Sequence, residues 1–153
     1  MTYQEFRELF YQTLAPLYST NEIRSQFHWY IREIFNIEPH LFYLNPNQLL
    51  PFGPKNQNDI EHLSTGEPIQ YILGFSDFYG LRLAVNSSVL IPRPETEELV
   101  DNILKEYCGF LGQNTQILDI GTGSGAIALA LAKNLPNANV TAVDFSETAL
   151  QVA

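Results

Sequence analysis

A glycine-rich segment, residues 121–125, separates two apolar stretches and constrains the fold more than any other feature of the sequence. The stretch before it, 116–120, is short and apolar and predicts a β-strand. The stretch after it, 126–135, is rich in alanine and leucine and predicts an α-helix. Glycines between a strand and a helix permit a tight turn and leave the backbone open to a ligand. The helix amino terminus then offers unpaired N–H groups to an anionic group.

A second strand and helix follow the glycine segment. Residues 139–144 predict another strand, and Ser146 is placed to cap a helix that begins directly after it. Alternating strands and helices predict a parallel sheet with right-handed crossovers. Two parallel strands leave faces and edges of such a sheet uncovered, so we expect the 153 residues to stop inside a domain.

Two acidic residues flank the glycine segment in positions that suit a nucleoside. Asp119 directly precedes the segment, and Asp144 ends the next strand, where a carboxylate can accept both hydroxyls of a ribose. The spacing Gly121-x-Gly123-x-x-Ala126 also fits a dinucleotide fingerprint, so a nicotinamide cofactor is one alternative. Asp119 favours the other alternative, S-adenosylmethionine (AdoMet). A carboxylate there would repel a pyrophosphate but could bind the ammonium of an amino-acid moiety.

The first half of the chain has a different composition. Of the 19 aromatic residues, 14 lie within positions 1–75, and the apolar residues there recur at helical spacing. The spacing predicts two long helices, with apolar faces at 6–17 and 23–34, and two short ones at 39–44 and 56–65. Capping boxes are expected at both long helices, formed by Thr2 with Glu5 and by Ser19 with Glu22. These apolar stripes are interpreted as a protein core, and Trp29 as part of its packing.

The region after residue 75 predicts a β-hairpin and then a helix. Residues 79–85 alternate between apolar and other side chains and are expected to pair with 89–91 across a turn at 86–88. Pro94 suits the first turn of the next helix. Its apolar face is assigned to Leu99, Val100, Ile103, Leu104 and Tyr107, and its acids Glu97, Glu98 and Asp101 are interpreted as a solvated face. The predicted division is a helical domain at 1–74, a linking hairpin at 75–93 and part of a nucleoside-binding domain at 94–153.

Composition excludes several classes of protein. The formal net charge is −9 and the eight basic residues are scattered, which argues against nucleic-acid binding by a basic stripe. The single cysteine, Cys108, excludes an internal disulfide framework, and we assign it no role. His28, His40 and His62 share no metal-ligand spacing, so no metal site is expected. No apolar run is long enough to span a bilayer and no signal peptide is evident, which indicates a soluble cytoplasmic protein, expected to be a monomer.

Three segments, taken in order, resemble the release-factor glutamine methyltransferases, the HemK/PrmC family. They are Gly66-Glu-Pro-Ile-Gln-Tyr-Ile-Leu-Gly74, the stretch from Phe78-Tyr-Gly80 to Ile91-Pro-Arg-Pro-Glu-Thr-Glu97, and Leu118-Asp-Ile-Gly-Thr-Gly-Ser-Gly-Ala-Ile-Ala128. The last segment also resembles motif I of class I AdoMet-dependent methyltransferases. The resemblance is strong from about residue 63 onward and weaker over the helical part.

The resemblance implies both a fold and a reaction. The fold would be α + α/β: a small helical bundle, a linking hairpin and the start of a class I, Rossmann-like methyltransferase domain. The reaction would be methyl transfer from AdoMet to the glutamine side-chain amide in the Gly-Gly-Gln segment of a release factor, which the helical domain helps to recognise. The cofactor-binding residues would be Gly121, Thr122, Gly123, Ser124, Gly125 and Asp144, together with Asp119. Phe78, Arg93 and Glu95 would lie near the substrate.

One family motif is missing from these residues. The Asn-Pro-Pro-Tyr segment that holds the glutamine amide does not occur in the 153 residues. We therefore assign no catalytic residue, and expect this polypeptide alone to bind AdoMet poorly and to be inactive. Two alternatives stay open at this point: a nicotinamide-dependent oxidoreductase that uses the same glycine loop, and a helical protein-binding module at 1–75.

Overall fold

A computed structural model describes residues 1–107 and 115–153 of the chain. They form two compact units, Met1–Leu73 and Gly74–Ala153, which are described separately below. Cys108 lies outside the described residues. Within the described ranges, no helix combines the length and apolar character that crossing a membrane requires.

The first unit is entirely helical. Its helices are α1 (Tyr3–Leu14), α2 (Thr20–Phe35), α3 (Pro39–Leu44), α4 (Pro54–Ser64) and α5 (Ile69–Leu73). Both predicted capping boxes are confirmed, because the side chains of Thr2 and Ser19 accept the N–H groups of Glu5 and Glu22, and those glutamates accept in return. The short helix α5 was not predicted, since five residues give too little apolar periodicity to recognise.

The core of the helical unit is built from aromatic rings. Phe6, Phe10, Phe27 and Tyr30 are fully buried, and their rings lie 5.4–6.0 Å apart in tilted and edge-on pairs. Trp29 packs against this cluster from its edge. The interpretation of the amphipathic stripes as core is therefore confirmed.

A buried polar cluster joins α2 to α4. The hydroxyl of Tyr30 donates to Oδ2 of Asp59 at 2.9 Å, and the amide of Asn56 donates to the Tyr30 oxygen at 3.2 Å. Asn56 also accepts the backbone N–H of Gly53 at 2.9 Å. Burial is the main cause that raises the pKa of the Tyr30 phenol far above its usual value. The phenol therefore remains a neutral donor at physiological pH.

The second unit contains a hairpin and a βαβα segment. The hairpin strands are β1 (Phe75–Phe78) and β2 (Leu81–Ala84), and the helix α6 (Pro94–Tyr107) follows. Next come β3 (Gln116–Ile120), α7 (Ala126–Asn134), β4 (Asn139–Val143) and α8 (Glu147–Leu150). β3 and β4 pair in parallel, with Gln116 opposite Asn139 and Ile120 opposite Val143. This order confirms the predicted strand, loop, helix and strand.

The hairpin is shorter than predicted and turns at a different place. β1 and β2 pair in antiparallel register across Tyr79 and Gly80, so the hairpin covers 75–84 rather than 75–93. Both turn residues have positive φ, 47° and 68°, which matches the twist of a two-residue hairpin turn. The expected pairing of 79–85 with 89–91 is wrong. Asn86 instead forms a local turn, in which its side chain accepts the N–H of Ser88 at 2.8 Å.

One core cluster of the second unit joins the hairpin to two helices. Phe78 and Leu83 of the hairpin pack with Val100 of α6 and with Ala130 and Leu131 of α7. On α6, Val100 is buried and Ile103 and Leu104 are partly buried, as predicted, but Leu99 is 49% exposed and does not belong to the apolar face. On β3, Ile117 packs against the cluster, whereas Leu118 and Ile120 point the other way and are exposed.

Candidate functional site

The glycine loop at the end of β3 is anchored to the neighbouring strand. The carbonyl of Val143 accepts the backbone N–H groups of both Gly121 and Thr122, at 2.8 and 3.0 Å. The N–H of Gly125 donates to the carbonyl of Thr122 at 2.9 Å and closes the loop. The loop is therefore held by backbone hydrogen bonds within the chain itself, which lowers the entropy cost of binding a ligand.

The glycines of this loop serve different purposes. Gly123 has φ +56° and no atom lies within 4 Å of the position that a Cβ would occupy, so its surface is free for a ligand. Gly125 has φ +77°, and a Cβ there would lie 3.2 Å from Cδ1 of Leu129. Gly125 is also the residue before α7, and no side chain caps that helix. The structure thus gives Gly125 a role in packing the loop against α7, beside the cofactor contact expected from sequence.

The carboxylate of Asp119 is oriented by its own loop. The hydroxyl of Thr122 donates to Oδ2 of Asp119 at 2.7 Å. Thr122 is 8% exposed, and Asp119 is partly buried. This hydrogen bond orients the Asp119 side chain. It uses only one of the roughly four acceptor positions of a carboxylate. Asp119 retains the capacity to accept hydrogen bonds from a cationic group.

Asp144, which directly follows β4, is hydrogen-bonded to the loop. Its Oδ2 accepts the N–H of Gly123 at 2.8 Å, and its Oδ1 accepts the N–H of Ser146 at 2.9 Å. The hydrogen bonds from Ser146 and then Gly123 lower the pKa of Asp144. A backbone hydrogen bond from Phe145 acts in the same direction. The side chain is therefore an anion at physiological pH, and its acceptor positions are not all filled by these backbone donors.

A cavity of about 210 Å³ lies over this loop. Small-molecule sites commonly enclose roughly 300–1,000 Å³, so the cavity holds only part of a ligand as large as a nucleoside. One wall is formed by the segment before α6 and by the first turn of α6. The other wall is formed by the glycine loop and by the first residues of α7. The lining residues are Leu90, Pro92, Arg93, Thr96, Asp119, Gly121, Thr122, Gly123, Ser124, Ala126 and Ile127.

The cavity brings together six of the ten residues selected from the sequence. Among the predicted residues, those lining it are Asp119, Gly121, Thr122, Gly123, Ser124 and Arg93. Gly125 and Asp144 do not line the cavity; Gly125 ends the loop, and Asp144 is hydrogen-bonded to its Gly123. Glu95 is exposed on the first turn of α6, and Phe78 is 1% exposed within the core cluster. The proximity of Phe78, Arg93 and Glu95 to a substrate remains a prediction.

Five cavity residues are not among those ten: Leu90, Pro92, Thr96, Ala126 and Ile127. Leu90 was assigned to a strand, but it is exposed and borders the cavity. Ile127 follows the loop on α7 and lies on the side of the helix that faces the cavity. The proline-rich segment just after Leu90 was the available signal, since its restricted backbone cannot continue a strand ladder. Across residues 1–107 and 115–153, no group of three or more His, Cys, Asp or Glu side chains is placed to hold a metal ion.

The acids of α6 are not the simple solvated face that was predicted. Glu97 is partly buried, and its Oε1 accepts the backbone N–H of Tyr79 at 2.7 Å. Asp101 accepts the hydroxyl of Tyr79 at 2.9 Å and also pairs with Lys105. Only Glu98, which is exposed, fits the prediction among the three. Sequence spacing missed these contacts because their partner lies 18 to 22 residues away along the chain.

Comparison with known proteins adds an independent observation. Residues 111–153 match a family model described as a methyltransferase domain. The whole chain aligns at 43% identity with the release factor glutamine methyltransferase of Flavobacterium psychrophilum and covers 55% of that protein. By sequence, this chain is similar to the release factor glutamine methyltransferases. The enzyme of that name from Streptococcus pneumoniae is 59% identical over 61% of this chain and 32% of its own length. The one from Bacteroides thetaiotaomicron is 40% identical over 93% of this chain and 50% of its own length.

The similarity to release factor glutamine methyltransferases confirms the resemblance that the three motifs indicated. It also agrees with the architecture, since a helical first part precedes the strands of a Rossmann-like methyltransferase domain. The predicted α + α/β fold class is confirmed. The chain spans about half the length of the relatives that match nearly all of it. Because a methyltransferase requires a methyl donor, the cavity over the glycine loop is the candidate donor site.

Proposed function

We propose that this chain carries the AdoMet-binding segment of a release factor glutamine methyltransferase. One observation carries the proposal: two carboxylates, Asp119 and Asp144, are hydrogen-bonded to the glycine loop of a chain with a methyltransferase-domain match. AdoMet has an ammonium, a carboxylate and a ribose diol. Each of these groups has a suitable partner at the loop.

The donor groups of the loop suit the amino-acid part of AdoMet. Asp119 is fixed by Thr122 and lines the cavity, where its carboxylate would bind the ammonium. The first turn of α7 has no side-chain cap, so its N–H groups and the positive end of the helix dipole would bind the ligand carboxylate. Gly121 and Gly123 would let the ligand approach the backbone, because no atom occupies the space beside them.

Asp144 suits the ribose. Its two oxygens are already oriented by the N–H groups of Gly123 and Ser146. The remaining acceptor positions would receive the two ribose hydroxyls. When bound, AdoMet supplies an electrophilic methyl group on a sulfonium. The residues described here bind and orient that ligand, and none of them is placed to move a proton.

A dinucleotide fits the same loop less well. The carboxylate of Asp119 lines the cavity beside the glycines, where a pyrophosphate would lie. Two negative groups a few ångströms apart in a partly buried site repel strongly. The observation in the folded chain therefore supports the sequence argument for AdoMet over a nicotinamide cofactor.

We propose a release factor as the methyl acceptor, because the similar proteins carry that name. An amide nitrogen is a poor nucleophile, so its methylation depends chiefly on positioning. Arg93 lines the cavity and would lie near the acceptor glutamine. Phe78 and Glu95, which do not line the cavity, are proposed to lie near the same substrate. The helical domain, 1–74, would recognise the release factor, with 75–93 as the link to the methyltransferase domain. Such an activity belongs in the cytoplasm.

Binding and transfer measurements on the full-length protein test this proposal. Calorimetric titration is expected to show binding of AdoMet and none of NADH. Incubation with AdoMet and a release factor is expected to add one methyl group to the glutamine of the Gly-Gly-Gln segment, detected by mass spectrometry. Asp119→Ala should weaken AdoMet binding, whereas Glu106→Ala, at an exposed acid of α6, should not. Binding of NADH but not AdoMet would overturn the proposal.

A further inference from the structure

We propose that the Tyr79–Gly80 turn braces α6 against α7 and thereby sets the width of the cavity over the glycine loop. In this arrangement Glu97 is a positioning residue: it touches no ligand and acts through the turn. The inference rests on the proposed function, because it treats the cavity as the AdoMet site.

The turn is strained and held in place from α6. Tyr79 has φ +47°, in the left-handed region that a residue with a Cβ rarely adopts. Two side chains of α6 hold it there. Glu97 accepts the backbone N–H of Tyr79 at 2.7 Å, and Asp101 accepts its hydroxyl at 2.9 Å.

The same turn is also held from α7. Nζ of Lys133 donates to the carbonyl of Gly80 at 2.9 Å. Phe78, directly before the turn, is 1% exposed and packs with Val100 of α6 and Ala130 of α7. Three consecutive residues therefore contact both helices through one buried ring and hydrogen bonds on each side.

Both helices form walls of the cavity with their first turns. Thr96 of α6 lines the cavity and is the neighbour of Glu97. The N–H of Thr96 donates to the carbonyl of Arg93 at 3.0 Å, so Arg93 moves with that first turn. Ile127 of α7 lines the opposite wall. A change in the separation of α6 and α7 consequently changes the distance between Arg93 and the glycine loop.

The test compares three variants of the full-length protein. Glu97→Ala removes the acceptor for Tyr79, Glu97→Gln keeps a carbonyl oxygen there, and Glu98→Ala removes the neighbouring exposed charge. We expect Glu97→Ala to weaken AdoMet binding by no more than about tenfold, the low end of the effect of losing a hydrogen bond to a charged group, because Glu97 acts through the turn. Glu97→Gln should restore most of the affinity, and Glu98→Ala should leave it unchanged.

Amide hydrogen exchange, followed by NMR, provides a readout that does not depend on the ligand. Glu97→Ala should speed exchange at Tyr79 and Thr96, and Glu97→Gln should not. One result would overturn the proposed bracing role: Glu97→Ala lowers the thermal midpoint, but the AdoMet affinity and the exchange rate at the Thr96 amide stay at wild-type values. Failure of the wild-type protein to bind AdoMet would overturn the proposed function instead. The hydrogen-exchange measurement would still decide whether the contact of Glu97 with Tyr79 braces the helix or is an ordinary surface contact.

Discussion

The carboxylate of Asp144 accepts the backbone N–H of Gly123 at 2.8 Å, and this contact joins the end of β4 to the tip of the glycine loop. Asp144 therefore has two functions in the proposed site. It holds the tip of the loop through Gly123, and in the proposed function its remaining acceptor capacity would serve the ribose hydroxyls. A substitution at Asp144 is expected to affect both.

Asp144→Ala should weaken AdoMet binding to the full-length protein by about 10- to 100-fold, because hydrogen bonds to a charged acceptor are worth about 1.5–3 kcal/mol. Asp144→Asn should weaken it as well, since its amide nitrogen would face an N–H donor. Asp77→Asn removes the same charge from an exposed ion pair with Arg82 and is the matched control. Calorimetry measures the affinities. Equal weakening by Asp77→Asn would show that net charge, not the contact with Gly123, decides binding.

Gly125 provides a test of loop packing. Gly125→Ala should lower the free energy of unfolding by more than Gly121→Ala, as measured by chemical denaturation. Both residues have positive φ, +77° and +78°, so both alanines are strained by about 1–2 kcal/mol. Only at Gly125 would the new Cβ also meet a neighbour, Cδ1 of Leu129 at 3.2 Å. Equal losses at the two positions would show that Leu129 moves aside without cost.

Local signals predicted the elements of this chain well. The capping boxes at Thr2 and Ser19 marked two helix starts correctly, because a capping box depends only on residues three apart. β3 begins and ends where the apolar stretch does, and α7 starts directly after the glycines. The hairpin turn was misplaced, since a tyrosine at positive φ is unusual and the sequence gives no sign of it.

The site was predicted where its chemistry is carried by one segment and missed where it depends on tertiary contacts. Asp119 and the glycine loop are adjacent in sequence, so their joint role was evident. The contact of Glu97 with Tyr79 is different, because it spans 18 residues and exists only when α6 packs on the hairpin. Leu90 was missed for a different reason: the two prolines that follow it were a local signal, but they were interpreted only as the end of a strand.

The buried polar cluster of the helical unit should be important for stability. Tyr30→Phe would leave Asp59 and Asn56 each without one hydrogen-bond partner inside the core. An unsatisfied buried polar group costs about 1–3 kcal/mol. We therefore expect Tyr30→Phe to lower the free energy of unfolding, measured by urea denaturation, by an amount in that range. Tyr43→Phe deletes a hydroxyl that contacts His28 and Tyr11 at a solvent-accessible position, where water can replace it, and should cost about 1 kcal/mol or less. Similar losses for the two variants would contradict a special contribution from the cluster.

Because Tyr79 hydrogen-bonds to Asp101, the difference in stability between the wild-type protein and Tyr79→Phe should depend on pH. Hydrogen bonds from Lys105 and then Tyr79 lower the pKa of Asp101, and the hydrogen bond to Asp101 raises the pKa of Tyr79. The Asp101 contribution is thus present above the ordinary aspartate pKa of about 3.9 and is lost as the pH falls through its lowered value. The Tyr79 contribution is present below about pH 10 and is lost as the pH rises through its raised pKa.

The thermal midpoint of the wild-type protein should therefore exceed that of Tyr79→Phe by a constant amount between about pH 5 and 9 and by less at both extremes. A difference that does not vary with pH would show that the hydroxyl stabilises the turn without its charged partner.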